Sequence, residues 1–327
     1  MNRVREYRQR LGLSQEELSR ITGIPRTTIS SIESGSVMPS VDYALRLARA
    51  LGCSVEELFS QEEYKFFPGF KEGLFISYLV GSQRVIAPAP MEHVDADGFY
   101  KDEKISWFKR LNIPTFAFAG CDNSLKLLTG TLLQEGIRLL TINASSLKAL
   151  ELLKEGYVHM AGLHMGCFEE NYRLVKEHLG RGYKVLKVFS WEEGILTREM
   201  ASLKELKKRL WLAREEGSGA RKVFEEIRED IGIKKYKVVH ADHEKVAFAI
   251  KEGLAEAGVA TKAYAYSYGL EFFSVKTEDY CLCYREDLEE DKSFLRLLNL
   301  LKSKTYRNLI SQVPGYRPEV GVEEALT

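Results

Sequence analysis

The chain has 327 residues, 45% hydrophobic and 29% charged, with 47 basic side chains against 47 acidic ones and a formal net charge of zero. That length exceeds what one hydrophobic core usually organises, so more than one domain is expected. The balanced charge excludes a polycation that coats nucleic acid indiscriminately, and five cysteines, an odd number, fit a reducing compartment better than a disulfide scaffold.

The opening MNRVREYRQR is charged and has no apolar run behind it, so it does not read as a secretory signal. The longest apolar stretches, PTFAFAG and YVHMAGLHMG, are too short for a bilayer. A soluble cytoplasmic protein without membrane contact is expected.

Residues 1–60 predict five short helices. Val4, Tyr7 and Leu11 mark the apolar face of the first. Ser14 opens the second, with Glu17 completing a capping box, Leu18 and Ile21 buried, and Gly23 turning the chain. Pro25 opens the third, whose Ile29 and Ile32 face inward and leave Arg26, Thr27, Thr28, Ser30 and Ser31 outside. Pro39 and Ser40 start a fourth helix through Leu51, and Ser54 caps a fifth carrying Leu58. Two short helices across a glycine turn, the second polar outside, predict a helix-turn-helix whose second helix can enter a major groove. Eight arginines stand against seven acids here, so a positive field must come from arrangement.

The run LSQEELSRITGIPRTTISSIESG closely resembles the Cro/repressor-type helix-turn-helix family, over about residues 2–60. The resemblance implies that Gln15 and the 26–31 surface touch double-stranded DNA, while Glu33 is a structural ion-pair partner. A small helical bundle that binds protein is the plainer alternative.

Residues 61–113 are expected to form a linker (61–63) and a β-hairpin, GLFISYLV and RVIAPAP, hinged at Gly81 and Ser82. From Pro114 strands and helices alternate: TFAFAG, NSLKLLTGTLLQEG, IRLLTIN, SSLKALELLKEG and YVHMAGLHMG. YKVLKVFSWEEGIL then crosses to a second unit holding GARKVFEEIRED, YKVVHA, DHEKVAFAIKEGLAEAG and LEFFSVKTEDYCLCY, before a helical C-terminus. Such alternation predicts a parallel sheet with helices on its faces, and two units joined by crossing strands predict two lobes with a cleft between. In KAYAYSYGLEFF the tyrosines 264, 266 and 268 fall at period two, which reads as strand. A short helix over 261–268, implied by the resemblance of the larger domain given below, is preferred.

In a two-lobed body a ligand meets strand C-termini and helix N-termini. The candidates are Cys121, Asp122 and Asn123 after the first strand, Ser145 and Ser146 after the second, and His164 after the third. In the second unit they are Ser218, Gly219 and Arg221 in the Gly-Ser-Gly turn, then Asp242 and His243, with Glu278 within reach. Serine hydroxyls and free N–H groups suit an ionised tetrahedral oxyanion, and Arg221 could add a charge-assisted bond. Ser145, Ser218 and Asp242 equally suit ordinary helix caps, His164 a satisfied strand-end histidine, and Tyr280, Cys281 and Cys283 plain sheet positions. Glu278, Asp122 and Asp242 would oppose an anion.

Seven collinear pieces, from AGCDNSLKLL through REEGSGARKVFEEI to PGYRPEVG, make residues 115–320 similar to the molybdate-binding-protein-like domain, a cytoplasmic relative of periplasmic solute-binding proteins. The implied architecture is an all-α helix-turn-helix head (1–60), a connector (61–113) and an α/β two-lobed periplasmic-binding-protein-like (type II) domain (114–327). The implied function is a homodimeric, ligand-responsive transcriptional regulator with molybdate or tungstate as effector and no cofactor. The chain departs from that pattern at Ala213, Glu215 and Glu216 before the turn, and at Ala257. Two alternatives share the DNA-binding head. One gives the large domain another small molecule or a metal, with Cys121, Cys167, His164, His240 and His243 as soft ligands but no Cys-x-x-Cys or His-x-x-x-His spacing. The other makes it a ligand-free dimerisation or interaction module. HEKVAF lacks the second histidine of a zinc-peptidase helix and no nucleophile elbow occurs, so no catalytic residues are expected.

Overall fold

A computed structural model of the chain describes residues 2–59, 64–90, 96–108, 113–318 and 324–327; the linker expected at 61–63 lies outside them. The chain divides into two compact units, Met1–Tyr64 and Lys65–Thr327.

The first unit is helical: α1 (Val4–Arg10), α2 (Gln15–Thr22), α3 (Arg26–Glu33), α4 (Val41–Leu51) and α5 (Val55–Phe59). Ser14 and Glu17 form the full capping box, and Gly23 ends α2 in the left-handed conformation. The core gathers Val4, Leu18, Ile24, Ile29, Ile32, Leu47 and Leu58. Two expected core positions are exposed instead. Leu11 lies just past the end of α1, and Ile21 falls off the stripe set by Leu18 and Thr22, one helical turn apart.

The second unit opens with a five-stranded sheet of β1 (Tyr64–Phe66), β2 (Gly73–Val80), β3 (Gln83–Pro88), β4 (Gly98–Lys101) and β5 (Lys104–Trp107), ordered β1-β3-β2-β4-β5. The β2–β3 pair is the expected hairpin. Buried Arg138, the first residue of a strand in the larger sheet, ties the two sheets together, its guanidinium bonding both oxygens of Asp97 at 2.9 and 2.8 Å.

The larger sheet contains β6 (Thr115–Gly120), β7 (Arg138–Asn143), β8 (Met160–Leu163), β9 (Tyr183–Thr197), β10 (Trp211–Arg214), β11 (Tyr236–Val239), β12 (Ala257–Thr261) and β13 (Glu271–Arg285), in the order β11-β10-β12-β9-β13-β8-β6-β7. Short strands β14 (Tyr316–Pro318) and β15 (Glu324–Leu326) add to β9. Helices α6 (Thr129–Gln134), α7 (Ser146–Lys154) and α8 (Phe168–Leu179) serve the first lobe, and α9 (Leu203–Leu206), α10 (Gly219–Ile231), α11 (His243–Lys251) and α12 (Lys262–Ser267) the second. Helices α13 (Lys292–Leu301) and α14 (Lys304–Ile310) close the chain.

Two long strands explain the two lobes. β9 and β13 run antiparallel from Tyr183–Arg285 to Thr197–Glu271. β8 joins one end of the pair at Cys281–Tyr284, and β12 joins the other at Glu193–Thr197. Each lobe is thus a parallel sheet grafted onto a shared two-stranded crossing. The second lobe packs through α10, where Ala220, Val223, Phe224 and Ile227 recur at the spacing of one helical face and are buried. The tyrosine-rich segment is helical, as α12. The expected single helix after Asn123 is a 3-10 turn (Ser124–Leu128) leading into α6, and the strand expected from Tyr157 begins only at Met160.

Candidate functional site

On the head, Arg26, Thr27 and Ser30 are exposed and Thr28 and Ser31 half-buried along the outer face of α3, while Ile29 and Ile32 face the core. The Ser31 hydroxyl donates back to the Thr27 carbonyl at 3.0 Å. Arg26 lies 3.6 Å from Glu16, both exposed. Gln15 is anchored, its amide donating at 2.9 Å to Glu33. Glu33 is buried and receives Arg8 at 2.6 Å and Arg5 at 3.4 Å, so one carboxylate binds α1 and α2 to α3. Burial works against that carboxylate, but the bonds from Arg8 and Gln15 hold its pKa below the ordinary value.

In the second unit the strand ends converge on the crossing. The two lobes touch there. The Leu147 N–H donates to the Gly217 carbonyl at 3.2 Å, Lys222 donates to the Met165 carbonyl at 2.8 Å, and Asn123 donates to the Tyr264 hydroxyl at 3.1 Å. The Asn143 amide donates to Asp242. Gly219 sits so close to His164 that a Cβ on it would fall 2.1 Å from the His164 carbonyl oxygen. Between the lobes lies a cleft of about 690 Å³, lined by Asn143, Ser145 and Leu147 on one side and by Arg214, Gly217 and Asp242 on the other.

Where the lobes meet the crossing strands lies a buried polar cluster. His164, fully enclosed, has Nε2 3.0 Å from Cys121 Sγ and Nδ1 2.9 Å from a Glu278 oxygen, with Glu193 at 3.6 Å. His243 lies 3.7 Å from Glu193. Trp191 packs edge-on against both imidazoles. Glu193 and Trp191 share a face of β9 by the two-residue strand period, and Glu278 stands opposite Trp191 on β13. The crossing strands therefore deliver both carboxylates, while the loops after β6 and β8 deliver Cys121 and His164 and the first residue of α11 delivers His243.

Several of these groups lack hydrogen-bond partners despite complete burial: both oxygens of Glu193, both ring nitrogens of His243, Nε and Nη1 of Arg214, Thr261 Oγ1 and the Tyr280 hydroxyl. Each such group costs about 1–3 kcal/mol if left unsatisfied. Burial alone disfavours a charged His164, yet Cys121 and the two carboxylates raise its pKa well above the ordinary value. Burial drives His243 well below it. Burial and the Glu193 charge push Glu278 up. Burial opposes the Glu193 carboxylate too, but His164 and His243 hold it low.

The expected ligand residues thus part company. Cys121, His164, His243 and Glu278 come together. Ser146 is buried near them, its hydroxyl accepting from the His164 N–H at 3.3 Å. Asp122 is buried beside them but engaged, accepting from the Tyr316 hydroxyl at 2.6 Å and from Ser124, and burial pushes its carboxyl up. Ser145 and Asp242 line the outer cleft, Asp242 also capping α11. Ser218 caps α10, and its hydroxyl donates to the Glu215 carbonyl at 2.9 Å. The Arg221 guanidinium is taken by Glu225 at 2.7 Å and the Arg214 carbonyl at 3.1 Å. Neither Ser218 nor Arg221 is offered to the cluster. Cys167 and His240 are exposed.

Sequence reasoning overlooked Glu193, Arg214, Trp191 and Thr261. A signal existed for Glu193, an acid between Trp191 and Ile195 at the inward parity of a long apolar strand.

Comparison with known proteins respects the same division. Residues 4–58 match the helix-turn-helix family model, and residues 131–302 match that of the PBP superfamily domain. The head is similar to the HTH-type transcriptional regulator YgzD of Bacillus subtilis, with 40% identity over 62 residues, 19% of this chain and 94% of that one. It is also similar to an HTH-type transcriptional regulator of Methanothermobacter thermautotrophicus, with 46% identity over 61 residues, 18% of this chain and 88% of that one. Among solved structures, a tungstate ABC transporter of Geobacter sulfurreducens aligns at 12% identity and a TM-score of 0.47, over 60% of this chain and 97% of that one.

Proposed function

The chain belongs, through residues 4–58, to the helix-turn-helix transcriptional regulators and, through residues 131–302, to the PBP superfamily; from that premise we propose that it is a DNA-binding regulator whose two-lobed domain senses a small polar effector. The observation that carries the effector reading is the set of buried, partnerless polar atoms of Glu193, Arg214, His243 and Thr261 where the lobes meet. A ligand that satisfies groups from both lobes stabilises their closed arrangement. It alters DNA affinity to the extent that it prefers one arrangement over the other. One short recognition helix reads few bases, so the regulator acts as a homodimer on a two-fold operator.

The site is built for binding. Its imidazoles come from the two lobes and its acids from the crossing strands. A bare oxyanion such as molybdate or tungstate fits this wall less well than the resemblance implies. Ser218 and Arg221 are engaged elsewhere, and the buried Glu193 carboxylate, held in its charged form, repels an anion.

The test is an operator selected from random duplex DNA with the full chain, followed by thermal-shift screening against oxyanions, divalent metals, amino acids and organic acids. A ligand of this site raises the melting temperature by mass action, and the rise disappears in Glu193→Gln. Stability indifferent to every ligand class would favour a ligand-free interaction domain.

A further inference from the structure

The geometry points to a binding site for a single thiophilic divalent transition-metal ion, of the zinc class, held by Cys121, His164 and His243. This inference rests on the reading of the space between the lobes as the effector site, and it names the effector. Cys121 Sγ and one ring nitrogen from each of His164 and His243 lie within 4.8 Å of one another, all three side chains buried. Ligand atoms on a tetrahedral ion with bonds of about 2.0–2.3 Å stand roughly 3.3–3.8 Å apart. Adjustments of about 1 Å or less therefore bring the three ligand atoms to bonding separations, with the fourth tetrahedral position left to an exogenous ligand.

The surroundings are those of a metal-binding histidine. Metal-bound imidazoles characteristically hold a carboxylate on the second ring nitrogen, which fixes the ring and raises its basicity. His164 has this arrangement, with Nδ1 on Glu278 at 2.9 Å and Nε2 directed at the Cys121 sulfur at 3.0 Å. Glu193 stands 3.7 Å from His243 Nδ1. Neither nitrogen of His243 has a hydrogen-bond partner, which a metal bond to one of them would remedy.

Size argues the same way. A polyatomic guest would have to part the 3.0 Å contact between Cys121 and His164, whereas an ion needs only the ligand atoms. Thiolate with imidazole selects zinc-like ions over magnesium or calcium.

The ligands also say what the ion does. Cys121 and His164 come directly after strands β6 and β8 of the first lobe, and His243 is the first residue of α11 in the second. One ion therefore pins the lobes together.

The test uses the full chain, prepared metal-free under reductant and titrated with Co²⁺, then with Zn²⁺ in competition. Wild type should take up one Co²⁺ per chain, with tetrahedral d–d absorption and a thiolate-to-cobalt charge-transfer band. Cys121→Ser should lose the charge-transfer band. Glu278→Gln should keep both bands but bind Zn²⁺ about 10–100-fold more weakly. His178→Ala, an exposed histidine of α8 outside the cleft lining, should match wild type. Circular dichroism melts establish that each variant is folded. Absence of the charge-transfer band in wild type, or its persistence in folded Cys121→Ser, would overturn the site. If wild type ignores metals while another ligand of the screen shifts operator affinity, the metal inference falls and the effector reading stands. Co²⁺ bound with the full spectrum but without any change in operator affinity supports the site and overturns its role as effector.

Discussion

Two buried carboxylates show what single residues carry in this chain. Asp97 takes two bonds from the Arg138 guanidinium, and both side chains are enclosed. Removing one partner of a buried pair strands the other charge, so Asp97→Ala should cost about 3–5 kcal/mol in denaturant unfolding, and Asp97→Asn less. In the head, Glu33 receives Arg8, Arg5 and Gln15, and its pKa is lowered from 4.5. A lowered folded pKa contributes stability that is fully present above the unfolded value and is lost as pH falls through the folded one. The difference in head stability between wild type and Glu33→Gln should therefore be largest near neutrality and shrink below pH 4.5, read as the pH dependence of the denaturation midpoint. A constant difference across that range would contradict the ion-pair assignment.

Elements were easier to read than the contacts they make. Caps and turns announced α2, α4 and α10 because Ser14, Ser40 and Ser218 each satisfy backbone N–H groups locally. Ser14→Ala should accordingly cost about 1 kcal/mol. The crossing strands were visible as long apolar runs, whereas Ile21 and Leu11 were misplaced because two-turn helices constrain periodicity weakly. The site was half legible. Cys121, His164 and His243 come after strands, where loops are expected to bind. Glu193 and Arg214 lie within strands, and the burial of Glu193 depends on a register that pairs β9 with the far-distant β13, which no local pattern reveals. Ser218 and Arg221 looked like ligand groups but are consumed by α10 itself. The most exacting element contact is the N-terminus of α10 against His164. Gly219→Ala places a methyl 2.1 Å from a carbonyl oxygen, about 1 Å inside normal contact. Lobe closure should fail, and effector-induced thermal stabilisation should vanish while the variant stays folded. Undiminished stabilisation would show that the lobes need not meet there.

At the scale of the whole molecule, the chain joins a helix-turn-helix head to a two-lobed body, and the proposed function lies in the coupling between them. Arg26→Ala and Thr28→Ala should weaken operator binding, the phosphate or base contacts of one residue being worth about 1–3 kcal/mol, without altering the response of the melting temperature to ligand. Cleft variants should do the reverse. The most direct test of that coupling is fluorescence anisotropy of the selected operator, titrated with the full chain with and without a saturating ligand of the cleft. A shift in operator affinity of about 5–150-fold in either direction, abolished in Glu193→Gln, is the predicted result. Identical isotherms, with the ligand demonstrably bound, would contradict it.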